Sequence, residues 1–406
     1  MRREFDRNSR ENRGPKSTLG GVAGALRATV VSKPFLLLPL LLIAVFLGAA
    51  CRGGGTPEEA QPQEEGANPR SFEMGLSSLP QQASKAGYEK AFNLAGENGE
   101  LILIQRAPPW EEFQRGGVIS AETLDLTREE KRLAEENGLG IFAAVDPLDP
   151  ADRGRLASPP DDPDGRSLAD AGFGDPRVRS AFIAYAQYLA LNLKPRYMAL
   201  GMEVDLYEAA RPDDFDNFVS LYFEAYDAVK DISPETLVFP TFQMEAIQNL
   251  LSPAGQSAGP AAPSRWHLVL NFEPKVDMLA ITTYPSFVFA TPDDIPPDYY
   301  DQLRRYIDAP IAIAAAGYSS GPGREGINEG TEEEQEAFLH RLFQDAERLE
   351  MTFVVWFAST DPSFVQEPPL DLLQYIGLRR ADGSAKPAWE VWVQEAARPH
   401  SPGRQQ

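Results

Sequence analysis

Cysteine is almost absent: the 406 residues contain one, Cys51. That excludes a disulfide scaffold. With only three histidines, scattered along the chain, there is no zinc-finger spacing, and neither H-x-H nor H-E-x-x-H occurs. No metal and no cofactor are therefore expected. Positive charge is also short, with 38 Lys and Arg against 60 Asp and Glu for a formal net charge of −22. Neutralising phosphates needs a basic face, so nucleic acid is excluded as a partner. No apolar run reaches the roughly 20 residues that span a bilayer as a helix. No internal repeat and no Gly-rich phosphate turn are found. Apolar residues at 43% and aromatics at 10% supply ample core, which rules out global disorder.

The N-terminus reads as an address. Residues 1–33 carry eight basic and three acidic side chains, followed by the apolar run 35–47 and then Gly48-Ala49-Ala50-Cys51. Basic, apolar and small-residue segments in that order form a secretory signal. The cysteine directly after it resembles the lipidation point of a bacterial lipoprotein. The segment 35–50 is 16 residues long, which favours this over an uncleaved anchor. The expectation is a signal over 1–50 and a mature chain held at the membrane by lipid on Cys51, outside the cytoplasm in the cell envelope. Without residues 1–50 the chain carries −27, simplest as a solvated surface. Residues 51–70, rich in Gly, Pro and Glu, read as a flexible tether.

From Ser71 a short apolar run alternates with an amphipathic stretch eight times. The strand candidates are 72–79, 101–107, 139–146, 197–204, 237–242, 278–284, 311–317 and 353–358. Continuous rather than alternating hydrophobicity indicates strands buried on both faces, as in parallel sheets. Asp175-Pro176 predicts one helix start, and Thr331 with Glu334 predicts another by capping-box spacing. Eight strand–helix pairs predict an α/β fold, a single (β/α)8 TIM barrel over 71–397, followed by a disordered tail over 398–406. A doubly wound open sheet is the alternative. Residues 147–174 form a long loop after strand 3 that would overhang the barrel mouth.

Chemistry in such a barrel sits at the carboxyl ends of the strands. Those ends offer Trp110, Asp146, Glu203, Asp205, Glu245, Tyr284, Tyr318, Trp356 and Asp361. Aromatic faces beside carboxylates suit a carbohydrate, since sugar C–H faces stack on rings and hydroxyls bond to acids. The plainer readings are that Glu203 pairs with a neighbouring Arg, that Asp146, Glu245 and Asp361 are solvated loop acids, that Trp110 and Trp356 pack the barrel rim, and that His267 is structural.

Several segments, in order, resemble the clan A glycoside hydrolases, retaining barrel enzymes that include endo-galactanases and cellulases. They are 197–204 (YMALGMEV), 277–285 (DMLAITTYP), 310–318 (PIAIAAAGY) and 377–389 (GLRRADGSAKPAW). The resemblance implies that Glu203 holds the general acid/base position and that Tyr284 is an active-site tyrosine. It also exposes two departures. Ala315 stands where the family has its nucleophilic Glu, and Met202 stands where an Asn binds the sugar 2-hydroxyl. The expectation is a glycan-binding barrel, with Trp110, Asp146, Asp205, Glu245, Tyr284, Tyr318 and Trp356 lining the site and retaining hydrolysis lost. An active glycosidase using Glu203 with a displaced or inverting second carboxylate, Glu245 or Asp146, stays open. So does a structural envelope protein whose barrel mouth binds nothing.

Overall fold

The computed structural model describes residues 68–157, 171–251, 263–324 and 326–401. The expected signal, Cys51, most of the tether, and the middle of the loop after strand 3 lie outside the described residues. Nine parallel strands form one sheet: β1 (Glu73–Ser77), β2 (Leu101–Arg106), β3 (Gly140–Val145), β4 (Tyr197–Leu200), β5 (Leu237–Phe239), β6 (Thr241–Gln243), β7 (Leu279–Thr283), β8 (Ile311–Ala316) and β9 (Phe353–Trp356). Their order is β5-β4-β3-β2-β1-β9-β8-β7-β6. The two edges of that order are halves of one strand, interrupted at Pro240. Its first half pairs with β4 and its second with β7. Proline has no N–H to give a ladder, so the strand changes partner there and the ring closes. The chain therefore has the expected (β/α)8 barrel, with eight strand positions and the fifth split in two.

The α-helices among the described residues are α1 (Lys85–Glu97), α2 (Trp110–Phe113), α3 (Ala121–Glu136), α4 (Pro176–Leu193), α5 (Val204–Ala210), α6 (Phe215–Lys230), α7 (Met244–Ile247), α8 (Glu332–Arg348) and α9 (Pro387–Ala396). Both predicted starts are found. The Asp175 side chain accepts from Arg177 N at 2.8 Å, with Pro176 in the first turn. Thr331 and Glu334 form the reciprocal capping box at 3.1 and 2.8 Å. His267 lies in a 3-10 turn over Trp266–Phe272.

Two cores result. The outer one packs the strands against the helices. The inner one fills the barrel: Phe142, Phe239, Phe353 and Tyr197 meet with ring centroids 4.6–5.6 Å apart, while Ala144, Ala199, Ala280, Ala312, Ala314 and Ala315 add little volume. Strand β8 carries an irregularity: Ile281 of β7 pairs with Ile313, but the next residue, Thr282, pairs with Ala315. The extra residue turns Ala314 and Ala315 both inward.

The first and last described residues meet at the amino ends of the strands. Arg70 N donates to Pro399 O at 3.0 Å and Ser401 N to Arg70 O at 2.9 Å, while the Arg398 side chain donates to the carbonyls of Asn68 and Pro69. Residues 398–401 are thus tied to the barrel rather than forming part of a loose tail.

Candidate functional site

The strand register decides which side chains face the barrel mouth. On β2, Leu101 and Leu103 point inward, so Gln105 does too, and it is exposed there. On β3, Phe142 and Ala144 bring Asp146 to the same rim. The Asp146 carboxylate accepts from Gln105 Nε2 at 3.0 Å and takes a two-pronged contact from Arg153, at 2.9 and 3.1 Å. Arg153, from the loop after β3, also donates to the carbonyl of Met202. Its two terminal nitrogens are therefore committed to groups of this chain.

Strand β4 stops at Leu200, short of the expected 204, because the chain turns into α5. Gly201 takes φ 105°, and Glu203, the residue before α5, takes φ 52° and ψ 48°. A left-handed backbone costs a non-glycine residue about 1 kcal/mol or more. Here it is held from both ends. Glu203 N donates to Thr241 Oγ1 at 2.9 Å, and Thr282 Oγ1 donates to Glu203 Oε1 at 2.7 Å. The carboxyl is half-buried. Burial raises its pKa above the ordinary range and Asp146 adds to this, while Arg153 and the Thr282 hydrogen bond oppose it.

Tyr284 follows β7, near enough to Glu203 to feel its charge. Burial, then the charges of Glu203 and Glu245, hold its hydroxyl well above the usual tyrosine pKa. Its ring meets Phe287 and Phe357 edge-on at 6.4 and 6.2 Å. Gly317 allows that placement, since a Cβ there would come within 2.9 Å of the Tyr284 ring.

Glu203, Asp146 and Tyr284 thus lie at one end of the barrel with Asp205 and Glu245 buried behind them, and the structure places Trp110, Tyr318 and Trp356 elsewhere. Trp356 is fully buried on the outer face of β9, with Nε1 donating to Ile376 O at 2.7 Å. The next residue, Phe357, is half-buried against the inner core and supplies the ring at the mouth. One step along a strand reverses the face. Trp110 is buried too, donating to Ala157 O at 2.7 Å. Tyr318 lies between the sheet and α8, stacked on Phe338 at 5.2 Å. None of these three rings offers a face to a ligand.

The acids differ from the plainer reading as well, because none of the three is solvated. Glu245 is fully buried and accepts from Thr283 Oγ1 at 2.8 Å, Tyr299 Oη at 2.9 Å, Tyr284 N at 3.1 Å and Gln243 Nε2. It braces Tyr284 from behind and has no free face for a second catalytic carboxylate. Asp361 is buried in an ion pair with Lys386 at 2.7 Å. Asp205 is fully buried, accepting from Gln243 N at 2.8 Å with Arg265 3.7 Å away, and burial raises its pKa to about 7. Among the described residues no group of three or more His, Cys, Asp or Glu is placed to hold a metal ion. Sequence reading missed Phe357, Thr282, Thr241 and Arg153. Only Phe357 carried a signal, as the neighbour of a residue singled out.

The chain matches no protein-family model and no curated protein. Among solved structures it is similar to the exo-β-1,4-mannosidase Op5Man5 from Opitutaceae bacterium strain TAV5, with TM-score 0.58 and 18% identity over 82% of this chain; it spans 60% of that longer chain. It is similar to GH5_18 from Streptomyces cattleya in complex with GlcNAc, with TM-score 0.58 and 18% identity over 83% of each chain. It is also similar to fungal β-1,4-galactanases, with TM-score 0.52 and 15% identity, over 80% of this chain and 99% of that one. What the chain shares with all three is architecture: it is a glycoside hydrolase-like (β/α)8 barrel.

Proposed function

We propose that this chain is a glycan-binding barrel of the glycoside hydrolase type, held at a bacterial envelope by lipid on Cys51, and that it has lost retaining hydrolysis. The observation that carries this reading is the pairing of Thr282 with Ala315. Thr282 donates to Glu203, and the inward residue beside it on β8 bears only a methyl group. Retaining chemistry needs two carboxyls roughly 5–5.5 Å apart, one to attack and one to give a proton. Glu203 supplies a carboxyl of the second kind, with a raised pKa, and Ala315 cannot form a glycosyl ester. What remains is a binding surface: the rings of Tyr284 and Phe357 for a sugar face, and Glu203 and Gln105 for hydroxyls. Similar barrels are recorded with GlcNAc and with Manβ1-4GlcNAc, which supports a carbohydrate as the ligand class.

The test uses the full chain and a panel of β-linked mannan, galactan and glucan. Affinity electrophoresis should show retardation by at least one polysaccharide, with no release of reducing sugar. Glu203→Gln should weaken that binding about tenfold or more, the scale of a hydrogen bond to a charged group. Turnover by the wild type that disappears in Glu203→Gln would instead establish an active glycosidase with a displaced or inverting second carboxylate. Asp146, whose charge is felt at Glu203, is then the second carboxylate to examine. For the anchor, Cys51→Ser should abolish incorporation of a labelled fatty acid in a bacterial host.

A further inference from the structure

Glu203 is held in a way that a sugar-binding carboxylate does not require. Its backbone is left-handed, yet both ends of the residue are fixed by threonine hydroxyls on two neighbouring strands, Thr241 of β6 and Thr282 of β7. Thr282 is buried, points into the barrel and has one proton to give, which goes to Oε1 of Glu203. With a methyl group at Ala315 beside it, no second acid competes for that proton. Oε2 makes no hydrogen bond to the described residues, and the Tyr284 hydroxyl also makes none.

We propose that Thr282 is a positioning residue: it holds Oε1 of the Glu203 carboxyl, so that Oε2 is the oxygen offered to a glycan hydroxyl. A carboxylate oxygen accepts the proton that a glycan hydroxyl gives. The inference rests on the glycan-binding reading above and adds to it the group that sets the geometry. The charged and titratable groups coupled electrostatically to Glu203 are Arg153 from the loop after β3, Asp146 just after β3, Asp205 from α5 and Tyr284 just after β7. Strand β8 presents Ala315, and Phe357 follows β9; neither ionises. Thr282 favours the ionised form of Glu203, as does Arg153, against the effect of burial.

The experiment compares Thr282→Val and Thr282→Ser in the full chain. The Glu203 carboxyl is followed by NMR with 13C-labelled glutamate, its signal identified by loss in Glu203→Gln. Thr282→Val should move the Glu203 titration upward in pH and raise the dissociation constant for the bound oligosaccharide about tenfold at neutral pH. Thr282→Ser should restore both. If Thr282→Val does not fold, Thr282→Ala serves the same comparison. A titration unchanged in the valine or alanine variant overturns the proposal, whatever happens to thermal stability. If the wild type binds no glycan, the functional reading falls and the carboxyl titration still decides the role of Thr282.

Discussion

Replacing Lys386 by Met is expected to cost about 3–5 kcal/mol of folding stability, the range for removing one partner of a buried ion pair. Lys386 and Asp361 are 1% and 6% exposed. The ammonium has three protons, and its short contacts number three: Asp361 Oδ1 at 2.7 Å, Gly377 O at 2.7 Å and Ser320 Oγ at 2.8 Å. Those acceptors belong to the loop after β8, the loop after β9 and the segment leading to α9, so one side chain gathers three pieces of the barrel rim. Methionine fills a similar volume but leaves Asp361 with the Gly377 N–H alone. Denaturant unfolding at neutral pH measures the loss. Pairing Lys386→Met with Asp361→Asn should recover part of it, because no charge is then left buried. A loss below 1 kcal/mol in the single variant would show that the pair does not hold the rim.

The second large effect is on pH. Asp205 and Asp361 have folded-state pKa values raised by burial to about 7 and about 6, against about 4 in an unfolded chain. Glu203 and Glu245 are shifted in the same direction. Between about pH 4 and pH 7 the folded state therefore binds more protons than the unfolded one, so stability falls as pH rises through that window. Asp205 alone contributes on the order of a few kcal/mol, at about 1.4 kcal/mol per pKa unit. Half-buried acids with lowered pKa, such as Asp175, act oppositely, losing their contribution as the pH drops through their own low folded-state values. The midpoint of thermal unfolding should be higher at pH 5 than at pH 8. Asp205→Asn should shrink that difference. An equal or higher midpoint at pH 8 in the wild type would refute the assignment.

Strand number and order were legible in the sequence because a parallel barrel buries both faces of every strand, so each strand is a continuous apolar run bounded by polar loops. The same property hid the faces. In Val354-Val355-Trp356-Phe357 nothing but the register tells which ring looks into the barrel, and the larger one, Trp356, looks out. On β8 the irregularity after Ile313 compounded the difficulty, turning two consecutive alanines inward. Glu203 was legible because an acid on a short apolar strand has few reasons to be there. Its setting was not, since Thr241, Thr282 and Arg153 lie 38, 79 and about 50 positions away in sequence. Glu245 and Asp361 were misread for the same reason: a carboxylate beside a loop looks solvated until a distant Tyr299 or Lys386 is folded onto it.

The pairing of Arg70 with Ser401, near the two ends of the described residues, has a directional consequence. Both sit at the amino ends of the strands, and Glu203 sits at the carboxyl ends, so anything joined beyond residue 68 or residue 401 leaves the described barrel on the side opposite Glu203.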